Sequence, residues 1–434
     1  MRIEHLVTVA ALAFARDSVH AQAWMLGAQA VPVITRADPS ATRTVLTEGY
    51  FTQPVVMGHA EWGLLRAAAT LNFEGLTLQR GELNTGGYGE GYVDRRHPHS
   101  YVHESLAGAQ ATRGPFGASF FAGRGFAPFG SDDPMMRPFE KYPVNHHLAQ
   151  VLERVVTIAA IRYGPVIGEA ALFNGDEPVS ASEGPNWNRA GDSWSARLTL
   201  LPIAGAELSG SVAHVESPEV RLGRGLDARK ESVVARFSRA SANSWRYFLA
   251  EWAQTDERDR GASAKVLSSW LAEGAYCRND ITAAARIERT DRPEEEPSLD
   301  PFRTPRPPAD LSSLGVSRWT TATINVSAPR LAWRFVSGRP FVEVARVTAA
   351  PGNPPGLFNA EARYGTSRMW MVSAGFRIRA GMIHDRMGRY GVALPAAGVI
   401  PVGTPVHDMR SHTVPSSSPT TSHLTSSPSN RCSL

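Results

Sequence analysis

Beyond residue 23 the chain alternates between apolar and polar positions. In 192–202, Trp194, Ala196, Leu198 and Leu200 interleave with Ser193, Ser195, Arg197 and Thr199. In 280–289, Ile281, Ala283, Ala285 and Ile287 interleave with Asp280, Thr282, Arg286 and Glu288. In 368–380, Trp370, Val372, Ala374, Phe376 and Ile378 interleave with Ser373, Arg377 and Arg379. A period of two puts successive side chains on opposite faces and marks strands with one apolar and one polar face. The pattern predicts strands over 24–34, 52–62, 64–76, 100–112, 115–124, 150–163, 165–175 and 191–202. It continues over 205–217, 229–240, 243–256, 264–277, 280–290, 316–327, 330–348 and 368–380. Segments 150–163 and 243–256 carry both residue types on both faces. Pro340 requires a bulge or an edge if 330–348 is one strand.

The connections alternate in length. Tight turns fall at Gly63, Arg113-Gly114, Gly164-Pro165, Ala204-Gly205, Ala240–Ala242, Arg278-Asn279 and Ala328-Pro329. Long polar stretches fall at 35–51, 77–99, 125–149, 176–190, 218–228, 257–263, 291–315 and 349–367. Such alternation is expected of a transmembrane barrel with short periplasmic turns and long external loops. Segments near ten residues suit tilted spanning strands, which need about 9–11. The expected fold is therefore an all-β antiparallel transmembrane barrel of about sixteen strands, within 14–18. An even count returns the chain to the periplasmic side. Trp194, Trp245, Trp252, Trp270, Trp319, Trp333 and Trp370 fall in strands, several near an end, as aromatic girdle residues do.

The ends read differently. Arg2, the apolar run Leu6–Ala15 and Ala21-Gln22-Ala23 read as a secretory signal peptide over 1–23, with Glu4, Arg16 and Asp17 as departures from the usual pattern. No run of about 18 apolar residues follows, so no membrane helix is expected. The barrel is expected over 24–392. Residues 393–434 read as a disordered tail rich in Ser, Thr and Pro. The last clean strand ends near Ala380, so the barrel is expected to close at 368–380 and trail the tail; loss of a native terminal strand is the alternative.

Composition narrows the partners. Charged residues make up 20% of the 434 positions and the net charge is +4, which argues against nucleic acid. The expected partners are outer-membrane lipids, small polar solutes, and the periplasmic chaperones and assembly machinery that fold such barrels. A homo-oligomer is left open, and no cofactor is implied. Cys277 and Cys432, the two cysteines, have no metal spacing and read as unpaired thiols.

Three constellations could carry chemistry. His97, His99 and His103 share a face if the segment is extended, with Glu104 beside them and Asp94, Arg95 and Arg96 before them; imidazoles at this spacing can bind a transition metal. Structural hydrogen bonding at a loop–strand junction is the competing account. The loop 125–149 brings Asp132, Asp133, Arg137, Glu140, Lys141, His146 and His147 together with Phe126, Phe129, Met135, Met136 and Phe139. Folded inward, it would constrict a pore with opposed charges; lying outside, it would cover the mouth. The polar strand faces give Arg197, Lys230, Arg236, Arg286, Arg377 and Arg379 against Glu207, Glu273 and Glu288, a basic excess that would weakly favour anions; a mixed, non-selective lumen is the competing account. The glycine-rich Asn84–Gly91 lacks the Lys-Ser/Thr and helix of a phosphate loop. Glu294-Glu295-Glu296 reads as a solvated charge run.

Gly86–Glu104 (GGYGEGYVDRRHPHSYVHE), Pro143–His147 (PVNHH), Ala170–Pro178 (AALFNGDEP) and Met387–Val392 (MGRYGV) resemble a group of bacterial porin-like outer-membrane proteins without an assigned substrate. The resemblance spans most of 50–392. It implies barrel architecture and a place in the outer membrane, and no catalytic activity. The expected function is passive passage of small polar solutes through a non-enzymatic channel, with a weak preference for anions. The alternatives are a metal-binding surface protein and a barrel enzyme such as a lipid hydrolase, for which Ser100 beside His99 is a candidate pair.

Overall fold

The computed structural model describes residues 22–39, 43–78, 83, 99–178, 180–241, 243–295, 310, 313–357, 359–383, 386–394 and 432. The expected signal peptide, except Gln22 and Ala23, lies outside the described residues, as do His97 and nearly all of the expected disordered tail.

The alternating segments form strands β1 (Gln22–Asp38), β2 (Leu46–Trp62), β3 (Leu65–Asn72), β4 (Val102–Arg113), β5 (Phe116–Gly125) and β6 (Arg154–Tyr163). They continue as β7 (Val166–Phe173), β8 (Ser193–Leu200), β9 (Ala206–Val215), β10 (Asp227–Ala240), β11 (Ser244–Asp259) and β12 (Ala262–Arg278). The last are β13 (Ile281–Glu295), β14 (Ser313–Ser327), the short β15 (Leu331–Trp333), β16 (Val336–Pro351) and β17 (Arg368–Gly381). Neighbours in sequence pair antiparallel, with β15 a short ladder inside the β14–β16 hairpin. β17 pairs back onto β1, from Gly27 opposite Gly381 to Asp38 opposite Trp370. The sheet is thus a closed barrel of sixteen strands, and its seam lies where 368–380 was expected to close it.

The barrel is inside out relative to a soluble one. In β8, Ser193, Ser195, Arg197 and Thr199 are buried while Trp194, Leu198 and Leu200 are exposed. The apolar face therefore points outward, and only hydrocarbon makes that favourable. Closure leaves no unpaired strand edge in that medium. From Trp370 to Ile378 the outward apolar stripe of β17 runs about 26 Å along the strand at about 3.3 Å per residue. Trp194, Trp252, Trp270 and Trp370 are exposed toward the long-connection end, and Trp24, Trp62, Tyr163 and Trp333 toward the short-turn end, as two girdles. Trp245 and Trp319 depart from the expected girdle: both are buried on the lumen side. There the Trp319 indole donates to Glu294 Oε1 at 2.9 Å. Glu294, expected in solvent, is accordingly buried.

Two expected loops are largely strand. β11 and β12 turn at Arg260-Gly261, not over 257–263, and β1 and β2 continue to Asp38 and from Leu46, not stopping at 35 and 51. Beyond the hydrocarbon both strand faces can be polar. The hydropathy pattern therefore fades while backbone pairing continues, here supported by Lys265–Glu257 at 2.9 Å across the hairpin. Strict alternation of short and long connections fails at this hairpin. Gly63, Gly114 and Gly164 hold positive φ in the tight turns, which glycine adopts without a steric penalty. Pro340 lies opposite Phe376 of β17, just beyond the last β14–β16 pair, Ser327 with Phe341; β14 has ended there, so the missing N–H breaks no β14 ladder bond.

The cysteines depart from the expectation of free thiols. Cys277 on β12 and Cys432 are disulfide-bonded across a sequence separation of 155. Both are buried, packed near Phe139, Trp245 and Leu271. Sequence distance gave no hint because only the closed barrel brings the two positions together.

Candidate functional site

The loop between β5 and β6, residues 126–153, lies inside the barrel. Backbone groups taken out of water need partners, and the lumen wall supplies them from many strands. Wall carboxylates accept loop donors. Glu343 on β16 accepts from Glu140 N (2.9 Å) and Lys141 N (3.2 Å), Glu288 on β13 from Val144 N (2.8 Å), and Glu251 on β11 from Asn145 Nδ2 (2.8 Å). Wall arginines donate to loop carbonyls: Arg377 on β17 to Arg137 O (3.0 Å) and Phe139 O (2.7 Å), and Arg286 on β13 to Lys141 O (3.0 Å). Ser211 on β9 accepts from Gly130 N at 2.9 Å, and Gln53 on β2 donates to Glu140 O at 3.0 Å. Phe126, Phe129, Met135 and Met136 fill an apolar core inside the lumen with Phe121, Val156, Ile158 and Phe173.

A second segment joins it. After β17 the chain turns into the barrel, and residues 386–394 lie against the loop and the wall. Arg386 bonds both Asp132 and Glu207, with Arg386 Nη2 at 3.0 Å from Asp132 Oδ1. Arg389 Nε lies 3.1 Å from the same Asp132 oxygen and Arg389 Nη1 3.4 Å from Glu169 Oε2. Tyr390 donates to Glu104 Oε1 at 2.6 Å and accepts from Phe126 N at 3.1 Å. Burial would push the Asp132 carboxyl up, but Arg386 and Arg389 beside it hold it well below the usual carboxylate range. Glu140 is instead raised, by burial and by the nearby Glu343, against the pull of Arg377.

Six expected constriction or wall residues are thus joined through the loop: Asp132, Arg137, Glu140, Lys141, Arg286 and Arg377. Asp133 caps the turn at Pro134–Met136, accepting from Met135 N at 2.7 Å, and also meets His103. His146 and His147 begin a helical turn, His146–Ala149. Arg197 is clasped by Glu169 at 2.6 Å, Arg236 meets Glu207 at 3.3 Å, and Lys230 sits over the Phe129 ring. Arg379 bonds Gln29 at 2.8 Å. The wall is not basic overall, because acids outnumber bases among the described buried residues. The expected excess counted only the cleanest strands and missed Glu251 and Glu343, whose alternation with apolar neighbours could have placed them inside. Arg386 and Arg389 carried no periodic signal at all.

Cavities remain on either side of the loop, two of them strongly charged, and a further one of about 60 Å³ lies beside the 386–394 segment between His59, Glu61, Arg66 and Arg389. Of the two charged chambers, one, of about 120 Å³, lies toward the long connections, with Arg154, Lys230 and Arg292 facing Glu177, Glu219, Glu257, Asp291 and Asp310. The other, of about 30 Å³, lies toward the short turns and carries Arg330, Arg339, Arg377 and Arg379 against Glu140. Asp280 takes two of these cations, with Arg339 at 2.6 Å and Arg330 at 3.2 Å.

The histidine cluster is also interior. His99 Nδ1 is 2.8 Å from Glu74 Oε2, and His103 lies between Glu153 (2.5 Å to Nδ1) and Asp133 (3.3 Å to Nε2). Ser100 donates to Glu153 Oε2 at 2.6 Å and is buried with His99. The pair is not on the lipid-facing rim that a lipid hydrolase would require.

A closed, inside-out barrel of sixteen strands, with its third long connection folded inward, defines a transmembrane β-barrel of the outer-membrane kind. Solved structures of outer-membrane proteins align with the chain at low identity. A loop-deletion form of OmpT, an outer membrane protein of Vibrio cholerae, aligns with TM-score 0.47 and 10% identity over 83% of this chain and 99% of that one. An anion-selective porin from Comamonas acidovorans aligns with TM-score 0.46 and 10% identity over 83% and 100%. OpdO of Pseudomonas aeruginosa aligns with TM-score 0.37 and 10% identity over 82% and 96%. No family model matches the chain, and no curated protein does.

Proposed function

We propose that the protein is a narrow outer-membrane channel for small polar solutes. Its constriction would be the in-folded loop, with Asp132, Asp133, Arg137, Glu140, Lys141, His146 and His147 as the expected constriction set. The observation that carries this reading is the loop's attachment to facing sides of a polar lumen, with charged chambers on either side. A solute would cross an acidic chamber, a constriction of opposed charges and a basic chamber in series. The short turns would face the periplasm, after removal of residues 1–23, and the tail would follow the barrel.

The weak anion preference is assigned to the four-arginine chamber at the short turns, not to the lumen as a whole. Arg379 supports this assignment: its Nη2 is buried without a hydrogen-bond partner among the described residues, which leaves a donor for a passing anion. Recordings in planar bilayers test the reading. Small, discrete conductance steps and a reversal potential displaced toward the anion equilibrium in a salt gradient are expected. A folded barrel that conducts neither as wild type nor with the loop contacts broken rejects it.

A further inference from the structure

His99 has one ring nitrogen against a carboxylate and His103 has both. Glu74 takes Nδ1 of His99 at 2.8 Å, fixing the tautomer that turns the Nε2 lone pair away from it. Asp133 stands 3.3 Å from Nε2 of His103, so its Nδ1 faces Glu153 Oε1 at 2.5 Å. The two rings are 5.2 Å apart between centroids. One donor atom each from His99, His103 and Glu153 falls within 4.8 Å of the others. Glu153 is itself oriented, by Ser100 N at 2.9 Å and Ser100 Oγ at 2.6 Å. Carboxylates behind imidazoles are the usual outer support of a metal site, fixing ring orientation and raising ligand basicity.

Charge points the same way. Of the buried carboxylates here, Glu74, Asp133 and Glu153 touch the imidazoles, while Glu104 beside His103 is held by Tyr390 and Thr70; Arg124 Nη2 is 3.9 Å from Glu153. With neutral imidazoles the three contacting carboxylates and Arg124 leave an excess of two negative charges in a water-poor interior. Either two protons, one on each ring, or one divalent cation balances it. Two donors on a tetrahedral zinc ion, with bonds near 2.0–2.1 Å, stand about 3.3 Å apart. Entry of the ion would open the His103–Glu153 contact by under about 1 Å and release the two protons.

We propose that His99, His103 and Glu153 bind one divalent transition-metal ion, with Zn²⁺ as the fitting probe, and that the ion clamps the end of the in-folded loop to β4. This revises the expected His97, His99, His103 set by bringing in Glu153 from a distant stretch of chain. It does not depend on the channel reading. The protons released make the affinity fall as pH falls.

The test uses the full chain, folded in detergent, with Zn²⁺ titrated by calorimetry. One ion per chain is expected, with binding weakened at least tenfold in Glu153→Gln and in His103→Gln and unchanged in His97→Ala. Heat-modifiable migration on gels checks that each variant has folded. No stoichiometric binding by the wild type overturns the proposal, as does equal binding by the folded variants. Should both variants fail to fold, Co²⁺ bound to the wild type decides. A tetrahedral visible spectrum, abolished by competing Zn²⁺, supports the site; an aquo-like octahedral spectrum overturns it.

Discussion

The two chambers differ in the sign of their charge although one loop separates them. Toward the long connections, five carboxylates face Arg154, Lys230 and Arg292. Toward the short turns, four arginines share Glu140 and, close by, Asp280. Between them many wall charges are ion-paired, as in Arg197–Glu169 and Arg286 with Glu273 and Glu288. Paired charges hold the loop; charges in excess are left at the two ends. Selectivity and occlusion are thereby assigned to different residues, which makes them separable by mutation.

Removing the divider should have the largest effect. Arg386 carries two buried carboxylates, Asp132 and Glu207. Arg386→Ala leaves Asp132 with Arg389 alone and Glu207 with Arg236 alone, and should destabilise the inner segment by about 1.5–3 kcal/mol. Single-channel conductance should rise several-fold as the chambers merge; unchanged conductance would show that the loop is held without this link. Next in size is the basic chamber itself. Arg379→Gln with Arg339→Gln should lower the anion-to-cation permeability ratio roughly twofold, since cations lining a pore set its preference by electrostatics. Glu257→Gln in the acidic chamber should move the reversal potential the opposite way. Shifts of the same sign in both would break the comparison.

Acid should do less. The folded Asp132 carboxyl titrates below its unfolded value, which is near 3.9. Its contribution is therefore complete above that unfolded value and is lost only as pH falls through the lower folded one. Conductance should stay level from neutral pH to about 4 as far as this link governs it, and a step in that window would assign control to another group. The smallest expected effect is at the disulfide. Alkylation of the denatured chain should find no free thiol before reduction and two after it, and Cys277→Ser should leave conductance unchanged.

The wall was legible because lipid and lumen impose opposite polarity on alternate residues. That constraint writes itself into 192–202 and 368–380 as a period of two. It failed where it does not apply, in Glu257–Asp259 and Leu46–Tyr50, which pair as strands without the expected alternation. The loop was legible in part. Its phenylalanines and methionines signalled packing, but whether that packing lay inside or over the mouth did not follow from composition. The four stretches that carry the porin-like resemblance are, in their described parts, mostly interior. Asn145, Asn174, Arg389 and Tyr390 are all buried. Their chemistry concerns how the lumen is filled more than how the wall is built.

By itself the sequence determined the strand class, a count near sixteen, the position of the closing strand and the tight turns, because these follow from periodicity and local backbone preference. Only the tertiary structure decided that 126–153 and 386–394 fill the lumen, that Glu153 joins His99 and His103, and that Cys277 meets Cys432. Those pairings link residues far apart in the chain through single side-chain contacts. Such contacts leave no repeating trace, and barrel closure alone brings their partners within reach.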